Sequence, residues 1–351
     1  MRSVIGLAAV ALCLGATVVA NAQSQGRVVT FAGSGQPGFA NSDGQVGQLN
    51  RPHGLAIDAK GNIYVSDRGN HAIRVVNTTG DIHTLAGNGS EGNADGVGAA
   101  ATFKQPIAVA VDGSGSVYVA DRDNHVIRVI DPSGKVGVLA GAGSKGFANG
   151  PASSAQFNEP YGVALSPDEQ TLYVADYLNH SIRAINLATK QVTTLAGNGT
   201  SGFANGVGDK AQFNQPYNVK TDANGRLYVP DQNNHAIRRV DLDGTVSTLA
   251  GNGQSGFADG KPSEARFNNP TGLTVGADGT VYIADRNNHR IRVITPAGEV
   301  ISLAGEGTAG QQDGPGAVAK FNRPIDLILT PDGSLVASEE SNHRLRKIFL
   351  K

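Results

Sequence analysis

The chain has 351 residues, 47 of them glycine, and its 29 lysines and arginines against 30 aspartates and glutamates give a formal net charge of −1. This charge excludes nucleic-acid binding through bulk positive charge, and the glycines lack the three-residue period of collagen. The length alone would allow two or three domains.

The first segment differs in composition from the rest of the chain. Arg2 is followed by an apolar run from Val4 to Val19 and then by Ala20-Asn21-Ala22. This is the pattern of a signal peptide that ends in an A-x-A cleavage site, and the run is shorter than the roughly 20 residues that span a bilayer. We therefore predict a signal peptide over residues 1–22 and a secreted or periplasmic mature chain, residues 23–351, without a membrane span. A membrane anchor is the alternative.

The remainder of the chain consists of six copies of one repeat, with histidines every 54 or 55 residues and prolines at the same period. The histidines are His71, His125, His180, His235, His289 and His343, and the prolines are Pro52, Pro106, Pro160, Pro216, Pro270 and Pro324. Each complete copy holds four short runs rich in Val, Ile, Leu and Tyr, separated by Gly, Asp, Asn and Pro, which predict strands joined by tight turns. Four strands in each of several radial repeats is the plan of a β-propeller. We predict a single all-β domain, a six-bladed β-propeller of four-stranded blades.

The two ends of the repeat array are complementary. The first five copies end in Leu-Ala-Gly, whereas the sixth stops at Lys351 before reaching that strand. A matching piece, Phe31-Ala32-Gly33, stands alone near the N-terminus. We therefore expect the N-terminal strand to complete the last blade, which closes the ring and removes exposed strand edges.

One copy shows the family resemblance of the repeat clearly. It contains Pro270-Thr271-Gly272-Leu273, then Tyr282-Ile283-Ala284-Asp285, then Asn288-His289-Arg290-Ile291. These three segments resemble the NHL repeat, and the resemblance extends over all six copies. It implies a six-bladed propeller that usually serves as a binding scaffold. Some similar propellers are enzymes, namely zinc-dependent peptidyl-hydroxyglycine amidating lyases and propellers of the gluconolactonase and strictosidine synthase types. Fold alone does not decide among these functions.

Residues that recur in every copy are expected to stabilise the blades. Besides the histidines, these are the acidic residues Asp67, Asp121, Asp176, Asp231, Asp285 and Glu339, and the arginines Arg74, Arg128, Arg183, Arg238, Arg292 and Arg346. A zinc site needs three or four ligands within about 2.3 Å of the metal, but equivalent positions on six radial blades are spread around the ring. We therefore interpret these residues as structural and predict no metal and no cofactor.

Residues that differ between copies are the better candidates for a binding site. The first strand of a propeller blade lines the central channel, so departures just after the recurring proline should surround one mouth of it. Lys220, for example, stands where the other copies have Ala, Thr or Ile. The predicted ligand-binding residues are His53, Tyr161, Tyr217, Asn218, Lys220 and Asp326, and we expect Asp326 to be the partner of Lys220 across the channel. The residues that follow the recurring acid should lie on the same face; they are Arg68, Arg122, Tyr177, Gln232, Arg286 and Glu340.

Two functions remain open at this point. The first is a monomeric binding scaffold for a protein or small-molecule ligand at the channel mouth, a position where ligands commonly bind. The alternative is an enzyme at the same mouth, either a metal-assisted lyase or a lactonase-like hydrolase. The segment Pro52-His53-Gly54-Leu55 resembles one zinc-ligand segment of the amidating lyases, but no other copy has a histidine there, and catalytic zinc usually has three protein ligands. RNA binding conflicts with the leader and with the lack of a basic stripe.

The leader gives a direct prediction. Export of the full-length chain should be followed by cleavage after Ala22, because the A-x-A site ends there. Intact-mass spectrometry of the exported protein should therefore give an N-terminus at Gln23. An exported protein that begins at Met1 would contradict the prediction.

Overall fold

The computed structural model describes residues 26–42 and 46–350, which form six antiparallel β-sheets arranged as a ring. The predicted leader lies outside the described residues. Within them, no helix is long and apolar enough to cross a membrane. The inner strands of successive blades contact one another around the ring, including those of the sixth and first blades. The predicted all-β, six-bladed propeller is thus confirmed.

The first three blades each contain four main strands. Blade 1 contains β2 (Pro52–Ile57), β3 (Ile63–Asp67), β4 (Ala72–Val76) and β5 (Ile82–Ala86). Blade 2 contains β6 (Gly96–Val97), β7 (Pro106–Val111), β8 (Val117–Asp121), β9 (Val126–Ile130) and β10 (Lys135–Ala140). Blade 3 contains β11 (Gly150–Pro151), β12 (Pro160–Leu165), β13 (Thr171–Asp176), β14 (Ser181–Asn186) and β15 (Gln191–Ala196).

The other three blades follow the same plan, and the sixth also includes the N-terminal strand. Blade 4 contains β16 (Gly206–Val207), β17 (Lys220–Thr221), β18 (Leu227–Asp231), β19 (Ala236–Val240) and β20 (Thr245–Ala250). Blade 5 contains β21 (Pro270–Val275), β22 (Val281–Asp285), β23 (Arg290–Ile294) and β24 (Val300–Ala304). Blade 6 contains β1 (Arg27–Ala32), β25 (Gly314–Pro315), β26 (Pro324–Leu329), β27 (Leu335–Glu339) and β28 (Arg344–Phe349).

The sixth sheet combines strands from both ends of the described chain. Strand β1 pairs antiparallel with β28, so that Arg27 lies opposite Phe349 and Ala32 lies opposite Leu345. Four blades contain a fifth strand of two residues (β6, β11, β16 or β25), which pairs with the outermost long strand. The prediction of four strands was therefore incomplete for these blades, because a two-residue strand is too short to show a period in the sequence.

Short 3-10 turns join the second and third strands of five blades and place their first residues at one end of the central channel. These turns are Arg68–Asn70, Arg122–Asn124, Tyr177–Asn179, Gln232–Asn234 and Arg286–Asn288, and two further 3-10 turns, Gly98–Ala100 and Gly208–Lys210, lie in the connections between blades. We call this end of the channel the turn end. The opposite end, where the inner strands finish, is the far end.

A buried ion pair between the recurring acid and the recurring arginine fixes the turn end of each blade. In blade 1, Asp67 Oδ2 accepts hydrogen bonds from Arg74 and Asn70, both at 2.7 Å, and Oδ1 accepts the backbone N–H of Asn50 at 2.7 Å. The other pairs, at 2.7–3.2 Å, are Asp121–Arg128, Asp176–Arg183, Asp231–Arg238, Asp285–Arg292 and Glu339–Arg346. A buried charge needs a partner and further hydrogen bonds, and these contacts supply both. They confirm that the recurring acid and arginine are structural.

Large apolar side chains fill the spaces between blades beside these ion pairs. Each lies three residues before the recurring proline and is fully buried: Leu49, Phe103, Phe157, Phe213, Phe267 and Phe321. In the five copies with phenylalanine, the guanidinium of the blade's arginine lies over the ring at 5.1–5.3 Å from its centre. This contact adds cation–π attraction to the ion pair.

The recurring histidines connect each blade to the next. Each has a left-handed backbone with φ between 48° and 55°, and its Nδ1 accepts the N–H of the residue that precedes the next recurring proline. These bonds, at 3.0–3.2 Å, are His71–Gln105, His125–Glu159, His180–Gln215, His235–Asn269, His289–Arg323 and His343–Arg51. The last one joins blade 6 to blade 1. Burial lowers the pKa of all six histidines, which favours the neutral, accepting form.

Glycines allow the inner strands to approach closely in pairs. A Cβ added to Gly162 of blade 3 would lie 2.5 Å from the Cα of Asn218 in blade 4, and one added to Gly54 of blade 1 would lie 2.6 Å from the Cα of Ala108 in blade 2. Gly272 of blade 5 faces Asp326 of blade 6 in the same way. Blades 1, 3 and 5 therefore carry glycine where blades 2, 4 and 6 carry Ala, Asn and Asp, and the channel is narrow at this level.

We predict that Gly162→Ala destabilises the protein by about 1–3 kcal/mol, since the added methyl group must displace the backbone of a neighbouring blade. Gly137→Ala is the matched control, because a Cβ there has no atom within 4 Å. The control should leave stability unchanged or raise it slightly. Urea-unfolding midpoints measure both effects, and equal midpoints for the two variants would contradict the close approach.

Candidate functional site

The turn end of the channel is filled by the side chains that were predicted to surround it. Tyr161 and Tyr217 pack with Ile107 and Ile325 in one buried cluster, and His53, which is only 1% exposed, stacks on Tyr217 with ring centres 5.6 Å apart. Tyr217 Oη lies 2.8 Å from His53 Nε2, and the rings of Tyr161 and Tyr217 meet edge to face with centres 4.9 Å apart. We expected an open mouth at these residues. Instead, the side chains of His53, Tyr161 and Tyr217 close the channel, and we call these three side chains the aromatic plug.

The narrowness of the channel explains the plug. The paired approach of the inner strands at Gly54, Gly162 and Gly272 brings the residues just after the recurring prolines close to the axis. Large side chains at that level can then meet across the channel, where burial of aromatic surface stabilises them. Burial also lowers the pKa of His53 well below 6.5; the charge of Arg68 adds to this effect and that of Glu340 opposes it. His53 is thus neutral at physiological pH.

A group of charged residues lies on top of the aromatic plug. Glu340, which is buried, pairs with Arg51 at 2.6 Å, with Arg286 at 2.9 Å and with Arg68 at 3.3 Å. We call these four residues the arginine cluster. It brings together three blades, because Arg51 and Arg68 belong to blade 1, Arg286 to blade 5 and Glu340 to blade 6.

Positive charge exceeds negative charge in the arginine cluster. Three guanidinium groups share one carboxylate, and Arg286 Nε is buried without a hydrogen-bond partner among the described residues. Burial works to raise the pKa of Glu340, but the guanidinium groups of Arg286 and Arg51 beside it hold that pKa well below its ordinary value. Glu340 is therefore ionised and neutralises only one of the three cations.

The opposite side of the turn end is aromatic and has no excess of positive charge. Tyr177 stacks on Tyr161 with ring centres 4.1 Å apart, and its hydroxyl lies 2.9 Å from the side-chain oxygens of both Gln215 and Gln232. Arg122 lies over the ring of Tyr161 but is balanced by Glu159 and Asp123 at 3.0 and 3.1 Å. These contacts place the residues after the recurring acid on one face, as predicted.

Asn218 and Asp326 lie in the interior of the channel, where they bond to the backbone of the inner strands. Asp326 Oδ2 accepts the N–H of Leu55 in the neighbouring blade at 2.9 Å, while Oδ1 accepts the N–H of Leu327 at 2.9 Å and the side-chain amide of Asn218 at 3.0 Å. The Asn218 oxygen accepts the N–H of Val219 at 2.8 Å. Buried N–H groups need such partners, so these two residues satisfy the backbone at the axis. The inner strand of blade 4 is correspondingly short.

Lys220 lies toward the far end, away from the plug. Its Nζ donates to the carbonyl of Leu55 at 3.1 Å and contacts Asp326 Oδ2 at 3.4 Å, and its side chain is 18% exposed. The contact with Asp326 that was predicted from the sequence is thus present. The six predicted residues do not form a single surface, however, because the plug, the channel interior and the far end each hold some of them.

Sequence reasoning did not place Arg51, Arg68, Arg286 and Glu340 in the site. Arg68, Arg286 and Glu340 were recognised as residues of the correct face, and Glu340 is the only acid at its position among the six copies. The glutamate at this position was the sequence feature that could have pointed to the site. Arg51 precedes a recurring proline, where the backbone is conserved from blade to blade but the side chain is not, so nothing in the pattern marked it.

The geometry does not favour a metal centre at the turn end. Among residues 26–42 and 46–350, no group of three His, Cys, Asp or Glu side chains is arranged to hold a metal ion. His53, the residue that resembles a lyase ligand, uses Nε2 for its bond with Tyr217. The cluster can instead offer guanidinium N–H donors, which suit carboxylate and phosphate oxygens.

Two family models match the chain. The model described as Teneurin NHL domain matches residues 91–263, and the model described as NHL repeat matches residues 49–76 and 267–294. Together they cover parts of blades 1–5.

Similar proteins are found among curated sequences and solved structures. Protein SUPPRESSOR OF QUENCHING 1, chloroplastic, of Arabidopsis thaliana is 35% identical over 287 residues, 76% of this chain and 27% of that protein. NHL repeat-containing protein 2 of Bos taurus is 29% identical over 338 residues, 86% of this chain and 46% of that protein. The chain thus spans less than half the length of either relative.

An auxiliary nutrient binding protein from Bacteroides thetaiotaomicron superposes with a TM-score of 0.72 at 18% identity, covering 93% of this chain and 76% of that chain. At that identity the likeness shows the fold alone.

The buried, neutral state of His53 predicts a specific pH dependence. Because its pKa is lower in the folded than in the unfolded state, the unfolded chain binds more protons as the pH falls below about 6.5. Wild type should therefore lose stability relative to His53→Gln, by up to about 1.4 kcal/mol for each pH unit below 6.5. Glutamine can retain a hydrogen bond to Tyr217 but does not titrate.

Urea unfolding of wild type and variant at several pH values measures this difference, and the subtraction cancels the titration of all other groups. His83→Gln is the control, because it removes the imidazole of an exposed histidine and changes no buried group. A wild-type-minus-variant difference that stays constant from neutral to acidic pH would contradict a buried neutral His53.

Proposed function

The chain belongs to the NHL-repeat family of six-bladed β-propellers, and on this premise we propose that it is a ligand-binding propeller. Its ligand site would be the turn end of the channel, on the outer side of the aromatic plug. The ligand would carry at least one carboxylate or phosphate group. The observation that carries this proposal is the convergence of three guanidinium groups on the single carboxylate of Glu340.

The energetics of the arginine cluster favour an anionic ligand. Like charges held close together in a partly buried site repel one another, and Glu340 offsets only part of this repulsion. The side chains of Arg68 and Arg286 are 16% and 22% exposed, so that part of each reaches solvent. A carboxylate or phosphate that binds both would relieve the repulsion and form paired, charge-assisted hydrogen bonds.

The surroundings of the cluster suggest how the rest of a ligand is held. Tyr161 and Tyr177 provide aromatic surface beside the arginines, and Gln215 and Gln232 provide amide groups. A rigid platform is useful for binding because little conformational entropy is lost on association. The buried ion pairs and the histidine bonds below the site provide that rigidity. The structural neighbour described as an auxiliary nutrient binding protein is consistent with a binding role for this fold.

We further propose that the protein acts outside the cytoplasm, in a secreted or periplasmic form. This rests on the charged, apolar and A-x-A segments of residues 1–22. The enzyme alternative receives less support, because His53 is enclosed in the plug and bonded to Tyr217, where a substrate at the turn end would not reach it.

Isothermal titration calorimetry with citrate and with inorganic phosphate as probes tests the proposal. We expect saturable binding by the wild-type protein and a loss of at least about tenfold in affinity for the double variant Arg68→Gln/Arg286→Gln. The reason is that each charge-assisted hydrogen bond contributes about 1.5–3 kcal/mol. The affinity of the wild type should fall as salt is added.

The matched control is Arg226→Gln, which removes a partly exposed arginine paired with Asp222 in the turn that leads into β18. The control should bind the probes as wild type does, and thermal melting should show that all variants are folded. The proposal is wrong if neither probe binds in the millimolar range, or if the double variant and the control bind equally well.

A further inference from the structure

The far end of the channel contains a cavity that the proposed function does not use. Its volume is about 230 Å³, and all six inner strands contribute to its wall. The side chains lining it are mostly those of Ala, Val, Leu and Ile, such as Ala110, Val111 and Leu165, and the single charged group in the lining is Lys220. We propose that this cavity is a second ligand site, for small monocarboxylates with a short aliphatic body.

The first argument is that a single ammonium group lies among side chains that are mostly aliphatic. At the position of Lys220 the other inner strands carry Ala56, Ala110, Ala164, Thr274 and Ile328. None of these side chains is charged, so the ammonium of Lys220 is the one charged group in a lining of mainly aliphatic side chains and two threonines, Thr221 and Thr274. This is the arrangement that recognises an amphipathic molecule with a single charged group.

The ammonium of Lys220 is only loosely held by its protein partner. Its distance to Asp326 Oδ2 is 3.4 Å, which is longer than the 2.7–2.9 Å of a tight charge-assisted hydrogen bond. Asp326 is already occupied by the N–H groups of Leu55 and Leu327 and by the amide of Asn218, at 2.9–3.0 Å. Lys220 therefore supplies Asp326 with a compensating charge at 3.4 Å rather than with a tight hydrogen bond.

The ammonium of Lys220 can donate one more hydrogen bond than its two protein acceptors accept. An ammonium has three N–H donors, and the protein acceptors at Lys220 are the carbonyl of Leu55 and the distant carboxylate of Asp326. A third donor is left for a further acceptor. A ligand carboxylate would accept it in surroundings that are less polar than bulk water, where the interaction is stronger than at an open surface.

The size of the cavity limits the ligand. A water molecule occupies about 30 Å³ of liquid, so the cavity corresponds to roughly eight waters. A straight or branched carboxylate of about four to six carbons has a comparable number of heavy atoms. Its aliphatic part would contact Ala110, Val111 and Leu165, while its carboxylate would contact Lys220. Burial of this part contributes about 0.8 kcal/mol for each methylene group, so affinity should rise with chain length up to that size.

Titration calorimetry of the wild-type protein with butyrate, isovalerate and hexanoate is the primary test. Isovaleramide, which is uncharged, provides a ligand of matched shape. We expect saturable binding of the carboxylates, with affinity increasing along the series, and weaker binding of the amide. Lys220→Met should lower the affinity for the carboxylates by at least about tenfold and bring it to that of the amide.

Two controls separate this site from the turn end and from effects on folding. The double variant Arg68→Gln/Arg286→Gln should keep the part of carboxylate binding whose affinity rises with chain length, because its substitutions lie at the other end of the channel. If Lys220→Met does not fold, acylation of lysines in the wild-type protein replaces it. Hexanoate should then protect Lys220 from acylation but not the exposed Lys60, as measured by peptide mass spectrometry.

The proposal is overturned if the carboxylates do not bind in the millimolar range, or if Lys220→Met retains their affinity. Binding that is lost in the arginine double variant but kept in Lys220→Met would also overturn it, since that result would assign the carboxylates to the turn end. Equal acylation of Lys220 with and without hexanoate would show that the ammonium only reaches solvent.

Discussion

The buried pair between the recurring acid and the recurring arginine is the interaction on which the rest of this structure depends. In blade 1, one oxygen of Asp67 binds the chain just before the inner strand, and the other binds Arg74 and the turn residue Asn70. The same carboxylate thus fixes both the start of an inner strand and the turn beside it. Repeated in every blade, this arrangement places the first turn residues at one end of the channel. Their side chains are free to differ, because the backbone does not depend on them.

The asymmetry of the channel follows from this division of roles. The recurring residues provide a nearly identical frame six times, and the variable positions differ from blade to blade within it. At the turn end, three arginines and one glutamate meet on the side of blades 1, 5 and 6, while Tyr177 and two glutamines lie on the other side. In the lining of the cavity at the far end, the one charged side chain is Lys220 of blade 4. The aromatic plug lies between these two surfaces, so the channel has two chemically different ends rather than one continuous lining.

Much of the fold could be predicted because a repeated residue gives six observations of one structural role. The propeller, the role of Asp and Arg and the common face of the turn residues all follow from comparing the copies. The contact of Lys220 with Asp326 could also be predicted, since a lysine among apolar residues needs a partner. The plug could not, because whether Tyr161 and Tyr217 surround an opening or fill it depends on the width of the channel. That width is set by close contacts at Gly54, Gly162 and Gly272 between strands of different blades, which no pattern within one repeat reveals.

The central claim is that the arginine cluster holds more positive charge than Glu340 neutralises. An NMR titration that follows the side-chain carboxyl carbon of Glu340 in the folded protein tests this claim most directly. If three guanidinium groups converge on this carboxylate, its pKa must lie well below the ordinary value of about 4.3, and it should rise when an anion binds beside it. A pKa of Glu340 near 4.3 that does not change when citrate is added would contradict the account.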